Sequence, residues 1–364
     1  MRLISHRNEN NKSGAVSLVA PVRNEIPIIP HFLEHYRKLG VSNFFFIDNN
    51  SSDGTTDFLV SQKDCQVYST NDDFKGANFG IDWVNEVINR HCVGAWALFV
   101  DCDEFFVYPD CESTSISAYC NDIQSRGYNT VFSAMIDMYP KGDFMSTPIL
   151  ADANPLTSMP YFDGDYFFRR WPKRPWEEYG AFNLQVLGGP RLRLLSNLET
   201  EISRGGIYYT LCNQIDRFID RVPVFGVDLL AKIWPIEMPA QQKKPLNLVC
   251  NQFRYHSNHS CSNTLVDPRM TSLLHFKICQ DLRAKMADRR MIAGHYRKGL
   301  SYQQLRLAIE KFKNPSLLYE GSLKFNSSDD LLKIGLIGES VGRLWLNADV
   351  QAIRTYPISK INVT

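Results

Sequence analysis

The sequence lacks several features that would each place it in a familiar class of protein. It has no run of 18 or more apolar residues, so we expect no membrane-spanning helix. Its 40 Lys and Arg residues are balanced by 39 Asp and Glu residues, and a formal net charge of +1 excludes a globally basic protein with a nucleic-acid partner. Gly and Pro, at 21 and 18 residues, lie near average usage, which excludes collagen-like and low-complexity chains.

The cysteines and the first residues favour an intracellular chain. The nine cysteines are scattered singly with no Cys-x-x-Cys pair, which is typical of reduced thiols rather than of a disulfide framework. Residues 1–14 are polar and contain no apolar segment, unlike a secretory signal peptide. We therefore expect a cytoplasmic protein. Peripheral contact with the inner face of a membrane, through the Arg- and aromatic-rich middle region, is compatible with this expectation.

Strands and helices alternate over the first hundred residues. Apolar runs predict strands at 15–22, 43–47, 65–68 and 95–100, and helical spacing predicts helices at 27–39, 55–61 and 76–90. This alternation is typical of a mainly parallel sheet covered by helices on both faces. Helical spacing recurs at 270–287, 301–313 and 329–336, whereas residues 112–239 show no clear pattern.

Three of the predicted strands end in loops rich in polar side chains, at 22–25, 48–54 and 101–104. The carboxyl ends of parallel strands lie at one edge of a sheet, and such sheets bind their ligands at that edge. We therefore expect the three loops to meet at one crevice.

Asp101 and Asp103 follow the fourth predicted strand and are separated by one residue. Alternate residues of a strand share a face, so both carboxylates can reach one cation, and oxygen ligands suit Mg²⁺ or Mn²⁺. Such a cation would neutralise a diphosphate leaving group. The motif is short and common, and its alternative interpretation is a pair of solvated or capping acids after a buried strand.

The order of these loops resembles the family 2 glycosyltransferases with the GT-A fold. Four segments carry the resemblance: 19–25 (VAPVRNE), 47–55 (IDNNSSDGT), 75–80 (KGANFG) and 101–105 (DCDEF). Within that group the chain resembles the family 92 enzymes, because 161–163 (YFD), 188–191 (GGPR) and 273–277 (LLHFK) are similar to three of their later segments.

The resemblance implies an α/β fold of the GT-A type, with a Rossmann-like mixed sheet flanked by helices. It divides the chain into a polar N-terminal segment (1–14), a glycosyltransferase domain (15–265) and a helical C-terminal extension that completes the site (266–364). The implied reaction moves a sugar, with inversion, from a nucleoside diphosphate sugar such as a UDP-sugar to a hydroxyl group of a glycan or lipid-linked acceptor. Such a reaction would serve polysaccharide biosynthesis.

The resemblance also implies roles for individual residues. The nucleotide sugar would be bound by Pro21, Arg23, Glu25, Asp48, Asn50, Asp53, Lys75, Asn78, Asp101, Arg191 and Lys277. Mn²⁺ or Mg²⁺ would be bound by Asp101, Asp103 and His275, with the ribose as an alternative partner of Asp101. The alternative for His275 is a packed histidine on the helix predicted at 270–287.

Inversion requires a base that takes the proton of the acceptor hydroxyl, and this base is usually a carboxylate. The candidates in the middle region are Asp163, Asp165, Glu177 and Glu178, and Asp163 fits the resemblance best. The sequence lacks the Glu-Asp pair that many family 2 enzymes place before the acceptor site. Both the base and the stereochemical outcome therefore stay open.

Two other functions fit parts of the sequence. A catalytically silent subunit that binds a nucleotide sugar, or serves as a scaffold, would keep the fold without the reaction. A sugar nucleotidyltransferase has a related sheet, but its chemistry calls for a glycine-rich loop after the first strand to hold a triphosphate. Residues 21–25 contain no glycine, which counts against this alternative.

Overall fold

The computed structural model describes residues 1–6, 15–170, 184–196, 241–262, 265–287, 296–312 and 314–338, together with 226, 229 and 230. The early strands are β1 (Arg2–Ser5), β2 (Ser17–Val22), β3 (Asn43–Asp48), β4 (Cys65–Ser69), β5 (Trp96–Phe99) and β6 (Glu104–Val107). The early helices are α1 (Ile29–Leu39), α2 (Thr55–Val60), α3 (Ile81–His91) and α4 (Ile116–Ser125). The elements predicted between residues 15 and 100 are confirmed, although the helix predicted from residue 76 begins only at Ile81.

The later elements include many short strands. These strands are β7 (Thr130–Asp137), β8 (Tyr161–Asp163), β9 (Tyr166–Arg170), β10 (Leu184–Gly188), β11 (Gln242–Lys243), β12 (Leu246–Leu248), β13 (Tyr255–Ser257), β14 (Ser260–Cys261), β15 (Val266–His275) and β16 (Ser322–Lys324). The helices are α5 (Pro155–Ser158), α6 (Gly189–Ser196), α7 (Gln280–Ala287), α8 (Leu300–Lys311) and α9 (Ser328–Lys333), with a 3-10 helix at Tyr296–Gly299. Helices α8 and α9 confirm the predictions at 301–313 and 329–336.

A ten-stranded sheet forms the centre of the fold, in the order β1-β4-β3-β2-β5-β12-β7-β15-β6, with β11 paired to β7. Strands β4, β3, β2 and β5 run parallel to one another, and β1 is antiparallel to β4. β12 is antiparallel to both β5 and β7, and β15 is parallel to β7 and antiparallel to β6. The predicted mixed α/β sheet is therefore confirmed, and the carboxyl ends of β2, β3, β5, β7 and β15 share one edge.

The helix predicted at 270–287 is wrong over its first part. Residues 266–275 form β15, which lies between β7 and β6, and only 280–287 are helical. Met270, Leu273 and Leu274 are fully buried because the strand is covered on both faces. A short apolar run of this kind has the same pattern in a buried strand and in a buried helix. The sheet thus takes strands from both sides of the domain boundary predicted at residue 266.

The two faces of the sheet bury separate sets of side chains. Phe44 and Phe46 of β3 belong to the same core cluster as Phe32 of α1, whereas Phe45 belongs to the cluster that contains Val84 of α3. Successive side chains of a strand point to opposite faces. The run of three aromatic residues therefore reflects a strand that is covered on both sides.

Tyr36 connects helix α1 to the segment that carries the acidic motif. Its hydroxyl, fully buried, donates a hydrogen bond to the carbonyl oxygen of Glu104 (2.8 Å) and accepts one from the amide of Phe106 (3.1 Å). Buried backbone groups need such partners. Tyr36 thus helps to set the position of β6, which begins directly after Asp103.

Removal of this hydroxyl should destabilise the fold. We expect Tyr36→Phe to lower the free energy of unfolding by about 1–3 kcal/mol, because buried polar backbone groups lose a partner. Tyr119→Phe is the matched control, since the buried Tyr119 hydroxyl has no hydrogen-bond partner among the described residues. Its loss should change stability by less than about 0.5 kcal/mol. Urea unfolding of both variants is the measurement, and equal losses would contradict the role given to Tyr36.

Candidate functional site

The loops after β2 and β3 meet, as the sequence predicted. The amide of Asn24 donates to Ser51 Oγ (2.9 Å), and the amide of Ser52 donates to Asn24 Oδ1 (2.8 Å). β2 is parallel to both β3 and β5, so the loop that holds Asp101 follows at the same edge of the sheet. The three predicted loops therefore lie along one edge.

Asp53 holds this pair of loops together. Its carboxylate accepts hydrogen bonds from the amide of Ile26 (3.0 Å) and from the amide and hydroxyl of Thr55 (3.0 and 2.6 Å). Burial raises the pKa of Asp53, but these hydrogen bonds outweigh burial and lower the pKa below its usual value. The carboxylate predicted to contact the nucleoside thus braces the loop, and direct contact with a ligand stays a prediction.

Asp48 differs from Asp53 in its partners. It ends β3, is 3% exposed, and accepts a hydrogen bond from the amide of Ser51 at Oδ2 (3.2 Å). Its Oδ1 is buried and has no hydrogen-bond partner in the described part of the chain. A buried carboxylate oxygen without a partner is costly, so it is a candidate contact for the N–H or O–H group of a ligand.

The other residues predicted for the nucleotide sugar fall into two groups. Those in the N-terminal half, on β2 or on loops, are exposed or partly exposed and keep their roles as predictions: Pro21, Arg23, Glu25, Asn50, Lys75 and Asn78. Arg191 is buried and hydrogen-bonded to Asp137, and Lys277 lies with its Nζ 5.1 Å from the centre of the Tyr302 ring. Burial lowers the pKa of Lys277, but Tyr302 and Asp103 outweigh burial and raise it.

Asp103, Glu104 and His275 form a group that could hold a metal ion. One oxygen or nitrogen atom from each lies within 4.8 Å of the others. The geometry comes from the sheet, because β6 and β15 pair with Glu104 opposite His275 and the amide of Phe276 donates to the carbonyl oxygen of Asp103 (2.8 Å). Carboxylate oxygens with one imidazole nitrogen suit Mn²⁺ better than Mg²⁺, which prefers oxygen ligands alone.

Asp137 fixes the orientation of His275. Asp137 ends β7 and is fully buried, with Oδ1 2.7 Å from His275 Nδ1 and Oδ2 2.5 Å from Arg191 Nε. Burial raises the pKa of Asp137, but the charge of Arg191 and the hydrogen bond from His275 outweigh burial and lower it to about 2. An ionised Asp137 can only accept, so Nδ1 of His275 is the donor of this hydrogen bond.

The other nitrogen of the His275 ring, Nε2, faces Asp103. His275 Nε2 lies 3.6 Å from Asp103 Oδ2, and in the neutral form of the ring Nε2 offers a lone pair. A nitrogen and a carboxylate oxygen at this separation can both ligate one cation. His275 and Asp103, predicted as metal ligands, thus lie together, and metal binding stays a prediction; His275 lies on strand β15 and not on a helix.

Lys243 is a neighbour that sequence reasoning missed. Its buried ammonium lies 2.8 Å from Asp101 Oδ2 and 2.6 Å from Glu104 Oε1. Burial lowers the pKa of Lys243, but the charges of Asp101 and Glu104 outweigh burial and raise it above its usual value. Asp101 thus contacts a fixed positive charge of the chain. Nothing in the sequence around residues 243–245 indicated this contact.

The candidates for the base differ in their burial and in their hydrogen-bond partners. Asp163 is 1% exposed, and its oxygens accept two hydrogen bonds from Arg193 (2.7 and 2.8 Å) and one from the Tyr139 hydroxyl (2.7 Å). This geometry argues against Asp163 as the base, because the carboxylate is occupied and closed off from solvent. Asp165 is exposed and accepts from the Tyr319 hydroxyl (3.2 Å), whereas Glu177 and Glu178 lie outside the described residues.

Comparisons with known proteins give few findings. No family model matches the chain, and no curated protein matches it. A solved UDP-glucose pyrophosphorylase in complex with UDP-glucose is 11% identical, with 50% of this chain and 79% of that chain covered and a TM-score of 0.25. A protein described as a glucose-1-phosphate thymidylyltransferase from Bacillus anthracis is 9% identical, with coverages of 63% and 89% and a TM-score of 0.25. Likenesses of this size carry no argument about activity.

One further observation concerns membranes. Among the described residues, every helix is too short or too polar to cross a bilayer.

Loss of the Asp137 charge should destabilise the protein in a pH-dependent way. We expect Asp137→Asn, in EDTA at pH 7, to lower the free energy of unfolding by about 3 kcal/mol, because Arg191 is left buried without its counter-charge. The pKa of Asp137 in the folded protein, about 2, lies below that of an unfolded Asp, so its stabilisation is present above about pH 4. This stabilisation is lost as the pH falls toward 2. The difference in free energy of unfolding between the wild type and Asp137→Asn should therefore narrow as the pH falls from about 4 toward 2.

Urea unfolding at pH 7, 4 and 3 measures this difference. Asp152→Asn, at an exposed position, is the control and should change stability by less than about 0.5 kcal/mol. A difference for Asp137→Asn that stays constant from pH 7 to pH 3 would show that Asp137 is not ionised in the folded protein.

Proposed function

We propose that this chain is a metal-dependent glycosyltransferase of the GT-A type that uses a nucleoside diphosphate sugar. The observation that carries the proposal is the placement of Asp103 and His275 Nε2 face to face, with Asp137 fixing the imidazole, at the sheet edge that also holds Asp48. Cation ligands and an unsatisfied carboxylate oxygen at one edge are what a nucleoside diphosphate requires: a counter-charge for its phosphates and an acceptor for its nucleoside.

Each part of the site would have a separate task. Asp48 Oδ1 would accept a hydrogen bond from the base or ribose, within the loops braced by Asp53. Asp103 and His275 would hold Mn²⁺, which supplies charge neutralisation for the leaving diphosphate when it is bound. Asp137 keeps the proton of His275 on Nδ1, and Arg191 keeps Asp137 ionised. Lys277 adds positive charge near Asp103 and would favour an anionic donor.

The described residues supply fewer candidate groups for the acceptor than for the nucleotide sugar. Direct displacement needs a carboxylate that accepts the proton of the acceptor hydroxyl. Asp165 and Glu178 keep this role as proposals, since Asp163 is bound by Arg193. We propose a glycan or lipid-linked hydroxyl as the acceptor and inversion as the outcome, in the cytoplasm or at the inner face of a membrane.

A second candidate is a sugar nucleotidyltransferase. The similar solved structures bear the names of such enzymes, and at TM-scores of 0.25 this adds support to neither candidate. The loop after β2 argues against a nucleotidyltransferase. That loop, residues 23–26, contains no glycine and gives the amides of Asn24, Glu25 and Ile26 to Ser51, Thr55 and Asp53, so they are not available to a triphosphate.

Binding of UDP should depend on the cation and on Asp103. We expect calorimetry to detect UDP binding with Mn²⁺ and binding at least about tenfold weaker in EDTA, because the diphosphate loses its counter-ion. Asp103→Asn should remove the effect of Mn²⁺. Asp82→Asn, an exposed carboxylate on α3, should leave both affinities unchanged.

Two further results decide between the candidates. Release of UDP from a UDP-sugar supports the glycosyltransferase, whereas release of pyrophosphate from UTP and a sugar 1-phosphate supports the nucleotidyltransferase. If neither UDP nor GDP binds with Mn²⁺, both proposals fail and the scaffold function is favoured.

Asp48 should contribute to nucleotide affinity with little effect on the fold. Asp48→Asn keeps an oxygen that can accept from the amide of Ser51 but replaces the other oxygen with a donor. We expect UDP to bind about tenfold more weakly, because the donor would face an N–H or O–H of the nucleoside. The measurement is calorimetry with Mn²⁺ and UDP, and the same variant should bind inorganic pyrophosphate with wild-type affinity. Equal weakening for UDP and pyrophosphate would contradict a nucleoside contact.

A further inference from the structure

Lys243 introduces a fixed positive charge among the carboxylates at this edge of the sheet. It lies on β11, where it pairs with Ser133 of β7, and its side chain is 4% exposed. An ammonium so deeply buried has exchanged its water for the oxygens of Asp101 and Glu104. The ammonium donates a hydrogen bond to Asp101 Oδ2, whereas its contact with Glu104 Oε1 is an ion pair, because that oxygen has no hydrogen-bond partner among the described residues. The attraction between the opposite charges offsets the cost of burying the ammonium beside Glu104.

The carboxylates at the edge are divided among different partners. Arg191 contacts Asp137, Lys243 contacts Asp101 and Glu104, and Asp103 faces His275 Nε2. The ammonium takes up a lone pair of Asp101 Oδ2 that a metal ion would otherwise use. Beside Glu104 it acts through its charge, 2.6 Å from Oε1. It also repels a second cation placed beside the same oxygen.

We propose that Lys243 is a positioning residue that withholds Asp101 and Glu104 from the divalent cation, so that Asp103 and His275 bind it. The inference rests on the metal dependence of the proposed function. A cation held by three carboxylates and an imidazole would have few coordination positions left for diphosphate oxygens. A cation held by two side chains keeps those positions open. Asp101, whose side chain is 38% exposed, is then available to the ribose.

The expected effect of losing Lys243 is tighter binding of the bare ion. In Lys243→Met, Glu104 and Asp101 lose their counter-charge and can turn to the cation, so Mn²⁺ should bind about tenfold more tightly than in the wild type. The measurement is a titration of the full chain with Mn²⁺ and no nucleotide, in which the electron paramagnetic resonance signal of free Mn²⁺ is followed. Circular dichroism first establishes that the variant is folded.

Two matched sets of variants complete the test. Lys243→Met combined with Glu104→Gln restores the net charge of the buried pair, and its Mn²⁺ affinity should return to within about threefold of the wild type. Asp101→Asn should bind Mn²⁺ within about threefold of the wild type, whereas Asp103→Asn should bind it at least about tenfold more weakly. If Lys243→Met does not fold, the comparison of Asp101→Asn with Asp103→Asn tests the inference by itself.

The outcomes separate this inference from the proposed function. Unchanged or weaker Mn²⁺ binding by folded Lys243→Met, or an Asp101→Asn variant that loses as much affinity as Asp103→Asn, would overturn the role of Lys243 and leave metal dependence intact. Absence of Mn²⁺ binding to the wild type, with and without UDP, would instead overturn the proposed function and the inference with it.

Discussion

The arrangement of the site depends on one fully buried carboxylate, that of Asp137. Its two oxygens bind two different partners, His275 and Arg191, which come from distant parts of the chain. A buried carboxylate is tolerated only when both its charge and its lone pairs are satisfied. Because Arg191 supplies the charge and His275 the hydrogen bond, the imidazole is held in one orientation. The other ring nitrogen, Nε2, then faces Asp103, and the proposed chemistry of the edge follows from that orientation.

The topology of the sheet brings these groups to one edge, where they can interact. β12 is antiparallel to both β5 and β7, so the ends of the two halves of the sheet reach the same edge. Asp48, Asp101 and Asp137 each end or follow a strand there, and β15 brings His275 alongside. The concentration of negative charge that results is offset by buried basic side chains, with Lys243 between Asp101 and Glu104. The proposed function and the inference about Lys243 both follow from this distribution of charge.

The local sequence was a good guide wherever one strand and its own loop formed a unit. Asp48 and Asp101 were found because each follows an apolar run, and a polar loop after a buried strand is a local pattern. Asp137 has the same relation to β7, but β7 was not recognised, since its eight residues include polar side chains buried by neighbouring strands. The environment of Asp163 could not be foreseen for a related reason. Its carboxylate resembles a catalytic group in sequence, and only Arg193, thirty residues away, shows that it is occupied.

The sequence by itself determined the alternation of strands and helices, the loops that meet at one edge and the acidic motif within them. These properties depend on hydrophobic period and turn residues, which act over a few positions of the chain. Only the tertiary structure decided which carboxylates are bound by basic side chains, that β15 is a strand, and that Lys243 contacts Asp101 across 142 positions of sequence. Burial and ion pairing bring together residues that are far apart in the sequence, so no local sequence pattern indicates these contacts.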